Sequence, residues 1–292
     1  MATSFSINEF NILCKKFYGK LYIIGANKSF IEKLINKIFR YTYLFKFTLL
    51  NIKRKIFRVF SFNLSKKNEI KDFNFSINLD DSYIEKASQE LQSKGYLFIE
   101  NFFEEKSHEN LLKSWPNINY FDHVKKITKH YNVGFQYRGN NFTKIFTNFS
   151  KYNGFYKAYE FLISNELKKF CNKLLLFENQ NYLISDISSS MATDGATLIC
   201  HQDGIINSEE KNPYKCIYFV DGYEQNPILG GATGLYNDNN FDSPIIIPKS
   251  IRNSLIIFAN SKQFYHGFKT IDCPKGVYRK TINFQLIRSQ IS

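Results

Sequence analysis

Cysteine is scarce in this chain: Cys14, Cys171, Cys200, Cys216 and Cys273 are odd in number, far apart and form no CxxC pair. Neither a disulfide framework nor a structural zinc site is indicated, and a reducing, cytoplasmic setting is the expectation. The opening MATSFSINEF lacks a basic region leading into an apolar run, which argues against a signal peptide. The most apolar stretch, Ile38 to Ile52, is broken by Arg40 and Lys46 and is too short to span a bilayer. There is no internal repeat and no low-complexity tract. Acidic residues are few at the N-terminus: through Ile70 the chain carries about 14 Lys and Arg against Glu9, Glu32 and Glu69, so about +11 of the net +13 lies in the first quarter.

Apolar residues, by contrast, make up 43% of the 292 residues, enough for a substantial core, which excludes disorder for most of the chain. Phe (30) and Tyr (19) account for nearly all the aromatics, and an AT-rich coding bias would produce this excess together with the Lys and Asn. Ser29-Phe30-Ile31-Glu32 has capping-box spacing, and Ile31, Leu34, Ile35, Ile38 and Phe39 predict an amphipathic helix to about Arg40. Residues 1–70 therefore read as a basic, amphipathic helical extension. Its apolar side can pack on the main domain or a second subunit, and its basic and aromatic mixture also suits peripheral contact with a membrane, more than with nucleic acid.

A main domain is expected over residues 71–292. Ser82-Tyr83-Ile84-Glu85 is a second capping box, and Lys94-Gly95 supplies a basic last turn and a terminating glycine. A strand signal follows at Tyr96 to Ile99, then helices around Lys106 to Ser114 and Tyr156 to Leu176, the latter interrupted near Ser164-Asn165. Beyond Asn181 about eight short strand-type runs alternate with turn clusters, and no helical period competes. The fold class expected is mainly β with flanking helices (α+β), around a double-stranded β-helix of the jelly-roll, cupin-like type.

Histidine is also rare, with His108, His123, His130, His201 and His266 only, so their placement is informative. His201-Gln202-Asp203 closes the run Thr197 to Cys200, and residues two apart on a strand share a face. His266, in a later strand, could join them across a barrel to give two His and one carboxylate, the facial set of non-haem Fe(II) oxygenases. Alone, the H-x-D tripeptide is more often a surface or structural contact. In the last strand, alternation puts Arg279, Thr281, Asn283 and Gln285 on one face and Tyr278, Ile282 and Phe284 on the other. An inward Arg279 would need an anionic partner, whereas a shift of one residue would turn Lys280 inward instead.

The order Gly95-Tyr96-Leu97-Phe98-Ile99, His201-x-Asp203, Gly230-Gly231-Ala232-Thr233-Gly234, Asn253 to Phe258, His266-Gly267-Phe268 and Arg279-x-Thr281 resembles the 2-oxoglutarate and Fe(II)-dependent oxygenases. It looks most like their prolyl-hydroxylase-like branch, while His-Gln-Asp-Gly also resembles the phytanoyl-CoA dioxygenase branch. The resemblance spans roughly Asp80 to Ile287. It implies that His201, Asp203 and His266 hold Fe(II) as the catalytic metal, and that Arg279, helped by Thr281 and by Tyr218, binds the cosubstrate 2-oxoglutarate. O2 would be the oxidant, ascorbate a reductant, and hydroxylation of an unactivated C–H bond in a small-molecule or peptide substrate the outcome. The gap from His266 to Arg279 is slightly longer than is common in that superfamily. Gln285 stands where oxygenases that demethylate nucleic-acid bases typically carry a second Arg, which argues against that substrate class. The substrate loops are expected at 204–213, 221–229 and within 121–144, where Tyr137-Arg138-Gly139-Asn140 reads as a loop. The rival reading is a catalytically inactive jelly-roll module that binds a ligand.

Overall fold

A computed structural model describes residues 45, 48–56, 75–77, 80–123, 136–140, 153–175, 182–203, 214–260 and 264–288. The helix expected from Ser29 to Arg40 and the loop at 204–213 lie outside them.

The first helix of the main domain, α1 (Asp81–Lys94), buries Ile84, Ala87, Ser88 and Leu91, the i, i+3, i+4, i+7 face that its sequence marks. Its N-cap is Asp80, two residues before the capping box read from Ser82. The Asp80 carboxylate accepts from the Tyr83 amide at 2.7 Å and from the Ser82 hydroxyl at 2.8 Å, so the serine supports the cap instead of forming it. Gly95 ends the helix at φ 74°, its N–H donating to the carbonyl of Leu91. The chain then enters β1 (Tyr96–Ile99) and α2 (Glu105–Lys113). Two short strands, β2 (Asp122–His123) and β3 (Gln136–Asn140), come before α3 (Asn153–Leu162) and α4 (Asn165–Leu174). The expected break between these helices falls at Ser164, which caps α4 by accepting from the Leu167 amide at 3.2 Å. Residues 137–140, expected as a loop, are paired along β4 as part of β3.

The remaining strands are β4 (Tyr182–Ala192), β5 (Leu198–His201), β6 (Tyr214–Asp221), β7 (Gly234–Tyr236), β8 (Pro244–Ile246), β9 (Ser254–Ala259), β10 (Tyr265–Phe268) and β11 (Arg279–Arg288). They form two antiparallel sheets, one of seven strands in the order β1-β9-β6-β11-β4-β3-β2 and one of four in the order β5-β10-β7-β8. The protein is thus mostly antiparallel sheet with supporting helices.

Alternation along the central strands sorts side chains into two layers. Cys216, Tyr218 and Val220 of β6, Leu255 and Ile257 of β9, and Ile282, Phe284 and Leu286 of β11 pack with the helices. That layer is dominated by aromatics: Phe102, Phe103, Phe161, Phe170 and Tyr218 meet edge-on or tilted with centroids 4.7 to 5.9 Å apart. The opposite face of the large sheet, with Ile217, Phe219, Ile256 and Phe258, packs on Leu235 of β7 and residues 245–247 at β8. Burying each such side chain contributes about 1.5–3 kcal/mol. Between the two sheets lie the buried polar residues His201, Thr233, His266, Arg279 and Thr281.

No helix among the described residues is long and apolar enough to cross a membrane.

Candidate metal centre and anion pocket

His201 and His266 face each other as cross-strand partners of β5 and β10, with ring centroids 4.4 Å apart. Their approach depends on Gly267: a Cβ there would lie 2.5 Å from the Leu198 carbonyl oxygen and 2.9 Å from the Cys200 amide nitrogen. The His-Gly pair is therefore a packing requirement of the β5–β10 contact. His201 Nδ1 is bonded to the Ile199 carbonyl at 2.9 Å, which turns Nε2 toward Asp203. That nitrogen lies 3.4 Å from Asp203 Oδ1, and His266 Nε2 lies 3.7 Å from Asp203 Oδ2.

The three ligand atoms offered by His201, Asp203 and His266 fall within 4.8 Å of one another. Donors about 2.1 Å from one ion on a single octahedral face would stand about 3 Å apart, so the set fits a divalent metal with small side-chain adjustments. Electrostatics agree with that fit. Burial works against the Asp203 carboxylate, but its hydrogen bond with His201 and the charges of Lys215 and His266 hold its pKa well below the usual range. Burial, reinforced by Lys215 and His201, pushes His266 well below an ordinary imidazole. An ionised carboxylate and a neutral imidazole are the forms that bind metals.

Further along the same cleft, Arg279 is only 5% exposed. Its Nε donates to the Gly231 carbonyl at 2.7 Å, one terminal nitrogen to Thr233 Oγ1 at 2.8 Å and the other to Thr281 Oγ1 at 3.4 Å. The guanidinium carbon sits 5.3 Å from the ring centre of Phe219 and 4.7 Å from that of Phe268. No carboxylate among the described residues forms an ion pair with it. Burial alone lowers its pKa to about 9, so it stays charged at neutral pH. Gly231 makes this cradle: at φ +88° it adopts a turn that few L residues accept, and a Cβ would lie 2.9 Å from Arg279 Cδ. The Gly-Gly-Ala-Thr sequence is thus a receptor for the arginine side chain. Beside it, Thr281 Oγ1 and Ser190 Oγ are 2.6 Å apart, and Asn283 donates to both.

Of the residues singled out in the sequence, His201, Asp203 and His266 converge, and Arg279 and Thr281 share the cleft. Lys280 does not enter it; it pairs with Asp221 at 2.8 Å. Tyr218 is corrected. It is the register partner of Ile282, and partners across a ladder share a face, so its hydroxyl points to the helices, bonding His108 Nδ1 at 2.9 Å and Asn253 Oδ1 at 3.0 Å. Phe219, the partner of Thr281, occupies the face expected of Tyr218. Lys215, which sequence reasoning passed over, reaches the metal cluster from β6: its ammonium ion-pairs with Asp203 and lies 3.1 Å from His266 Nε2. Period-two alternation with Ile217 and Phe219 was the available signal.

No family model and no curated protein matches the chain. Solved structures do. The structures it is similar to include prolyl hydroxylases and a 2OG-Fe(II) oxygenase family member. A prolyl hydroxylase from Trichoplax adhaerens, in complex with a hypoxia inducible factor peptide fragment, is 15% identical over 72% of this chain and 94% of its own, with a TM-score of 0.47. An oxidoreductase of the 2OG-Fe(II) oxygenase family from Burkholderia pseudomallei is 9% identical over 75% and 95%, with a TM-score of 0.45. A prolyl-4-hydroxylase from Pseudomonas putida is 11% identical over 71% and 99%, with a TM-score of 0.46.

Proposed function

We propose that this protein is a non-haem Fe(II)- and 2-oxoglutarate-dependent dioxygenase that hydroxylates an unactivated C–H bond, its two sheets serving as a double-stranded β-helix. The observation that carries the reading is a pairing of two features in one inter-sheet cleft: a largely buried His-Asp-His cluster and a buried arginine with no acidic partner among the described residues. Burying a lone guanidinium costs several kcal/mol unless an anion completes it. His266 and the Arg279-stacked Phe268 are two residues apart on one face of β10, about 7 Å along the strand. That is about the reach of a five-carbon dicarboxylate with one end at the cluster and the other at Arg279.

When bound, the iron and its cosubstrate supply the oxidation, with O2 converting 2-oxoglutarate to succinate and CO2 and hydroxylating the substrate. His201, Asp203 and His266 would hold the metal through two imidazoles and one carboxylate. Arg279 fixes the distal carboxylate in a charge-assisted pair, and the Thr281 hydroxyl adds a donor. Phe219 and Phe268 wall the guanidinium from water, which strengthens that pair. The test is succinate formation from 2-oxoglutarate followed by NMR in the absence of a prime substrate. The proposal expects slow turnover that requires Fe(II) and disappears in His201→Ala; no turnover in folded, iron-supplemented protein at any 2-oxoglutarate concentration favours the inactive module.

A further inference from the structure

Lys215 stands where its neighbours on the same face of β6, Ile217 and Phe219, are apolar and buried. Its ammonium contacts Asp203 and His266 Nε2, two of the three groups that the proposed metal site uses. A divalent ion and an ammonium cannot both take the same carboxylate oxygen without strong like-charge repulsion. The lysine side chain is 20% exposed, and its flexible four-carbon stem gives it a route out of the cleft.

From this geometry we infer that Lys215 is an intramolecular competitor for the metal, lowering the affinity of the His201–Asp203–His266 cluster so that loading requires the ammonium to swing aside. The inference rests on the metal-site reading above. It is tested by titrating Mn(II) into the full-length protein and reading free Mn(II) by EPR, for wild type, Lys215→Met, Lys215→Arg and His201→Ala, each checked for fold by circular dichroism. Lys215→Met should bind at least tenfold tighter than wild type and Lys215→Arg no tighter. Equal or weaker binding by Lys215→Met, with wild type binding normally, overturns the inference and leaves the cluster standing. Binding by none of the variants and not by wild type removes the metal-site reading itself, and the inference with it.

A second observation, independent of the first, concerns the helical segment at 48–56 and Phe45. Phe45, Leu49, Ile52 and Ile56 are 66%, 50%, 48% and 52% exposed and recur at the spacing of one helix face. Asn51, on the opposite face, is 2% exposed, so the segment rests on that side and turns its apolar stripe outward. Lys53 and Lys55 beside the stripe are exposed. We propose that this face docks on an anionic lipid surface, apolar side chains entering the acyl boundary and lysines meeting headgroups. The basic excess through Ile70 would repel a second copy, and phosphate recognition makes no use of an apolar stripe. Flotation with phosphatidylcholine vesicles, with and without phosphatidylserine, decides it. The wild type should float only with phosphatidylserine, less at high salt, and Leu49→Glu/Ile52→Glu should not float. Failure of the wild type to float, or undiminished flotation of the double variant, overturns the proposal. So does a wild-type dimer or nucleic-acid complex in light scattering that the double variant loses without any vesicle binding.

Discussion

Arg279 is held by the backbone of Gly231: its Nε donates to that carbonyl at 2.7 Å, and the left-handed turn at Gly231 leaves room for the arginine methylenes. The cationic end of the cleft thus depends on a residue with no side chain. Gly231→Ala adds a Cβ at 2.8 Å from Ile271 Cδ1 and 2.9 Å from Arg279 Cδ, and places a side chain at φ +88°. A destabilisation of roughly 1–2 kcal/mol from the backbone alone is expected, with a larger proportional loss of 2-oxoglutarate affinity than of metal affinity. Urea denaturation and calorimetric titration of both ligands check this.

Gly267→Ala acts at the other end. The added Cβ meets backbone atoms of Leu198 to Cys200, which cannot rotate away as a side chain would, so β10 must part from β5. His201 and His266 then separate, and Mn(II) binding should weaken at least tenfold while Arg279 keeps its cradle. An EPR titration reads the loss.

Tyr218→Phe distinguishes the observed position of Tyr218 from the role expected of it. Facing the helices, it leaves 2-oxoglutarate affinity within about twofold but costs about 1–2 kcal/mol of stability, because Asn253 Oδ1 and His108 Nδ1 each lose a buried partner. A cosubstrate ligand would show the reverse pattern in calorimetry and urea denaturation.

His108 makes stability depend on pH. It is fully buried, its Nε2 has no hydrogen-bond partner among the described residues, and burial, aided by the charge of Arg252, lowers its pKa to about 4. The folded value lies below the ordinary 6.5, so the unfolded chain takes up the proton first. Its contribution is complete above pH 6.5 and is lost as pH falls toward 4. Between pH 7.5 and 5 the wild type should lose roughly 2 kcal/mol more than His108→Gln, measured from urea midpoints at the two pH values.

Much of this arrangement was legible in the sequence where a local pattern carried it. The α1 face, the Gly95 stop, the break at Ser164 and the alternation of β11 follow from helical and strand periods. Local pattern failed where polar residues occupy strands: the serines of β4 concealed all but its start, and β3 read as a loop. Tyr218 is expected at the cosubstrate from the family resemblance alone, and alternation separates it from Phe219 without saying which is inward; pairing with Ile282 decides that, and pairing is a tertiary fact. The cradle of Arg279 was visible only as a Gly-Gly-Ala-Thr motif, since the contact joins residues 48 positions apart.

In the proposed function, one cleft holds a divalent metal at His201, Asp203 and His266 and an anion at Arg279. Anaerobic titration of 2-oxoglutarate into Fe(II)-loaded protein, followed by the visible metal-to-ligand charge-transfer absorption, tests both halves at once. A band is expected in the wild type, none in His201→Ala, and in Arg279→Ala a band that requires about 10- to 100-fold more 2-oxoglutarate, the value of a charge-assisted hydrogen bond. A folded wild type with no band, or a band indifferent to Arg279→Ala, would contradict it.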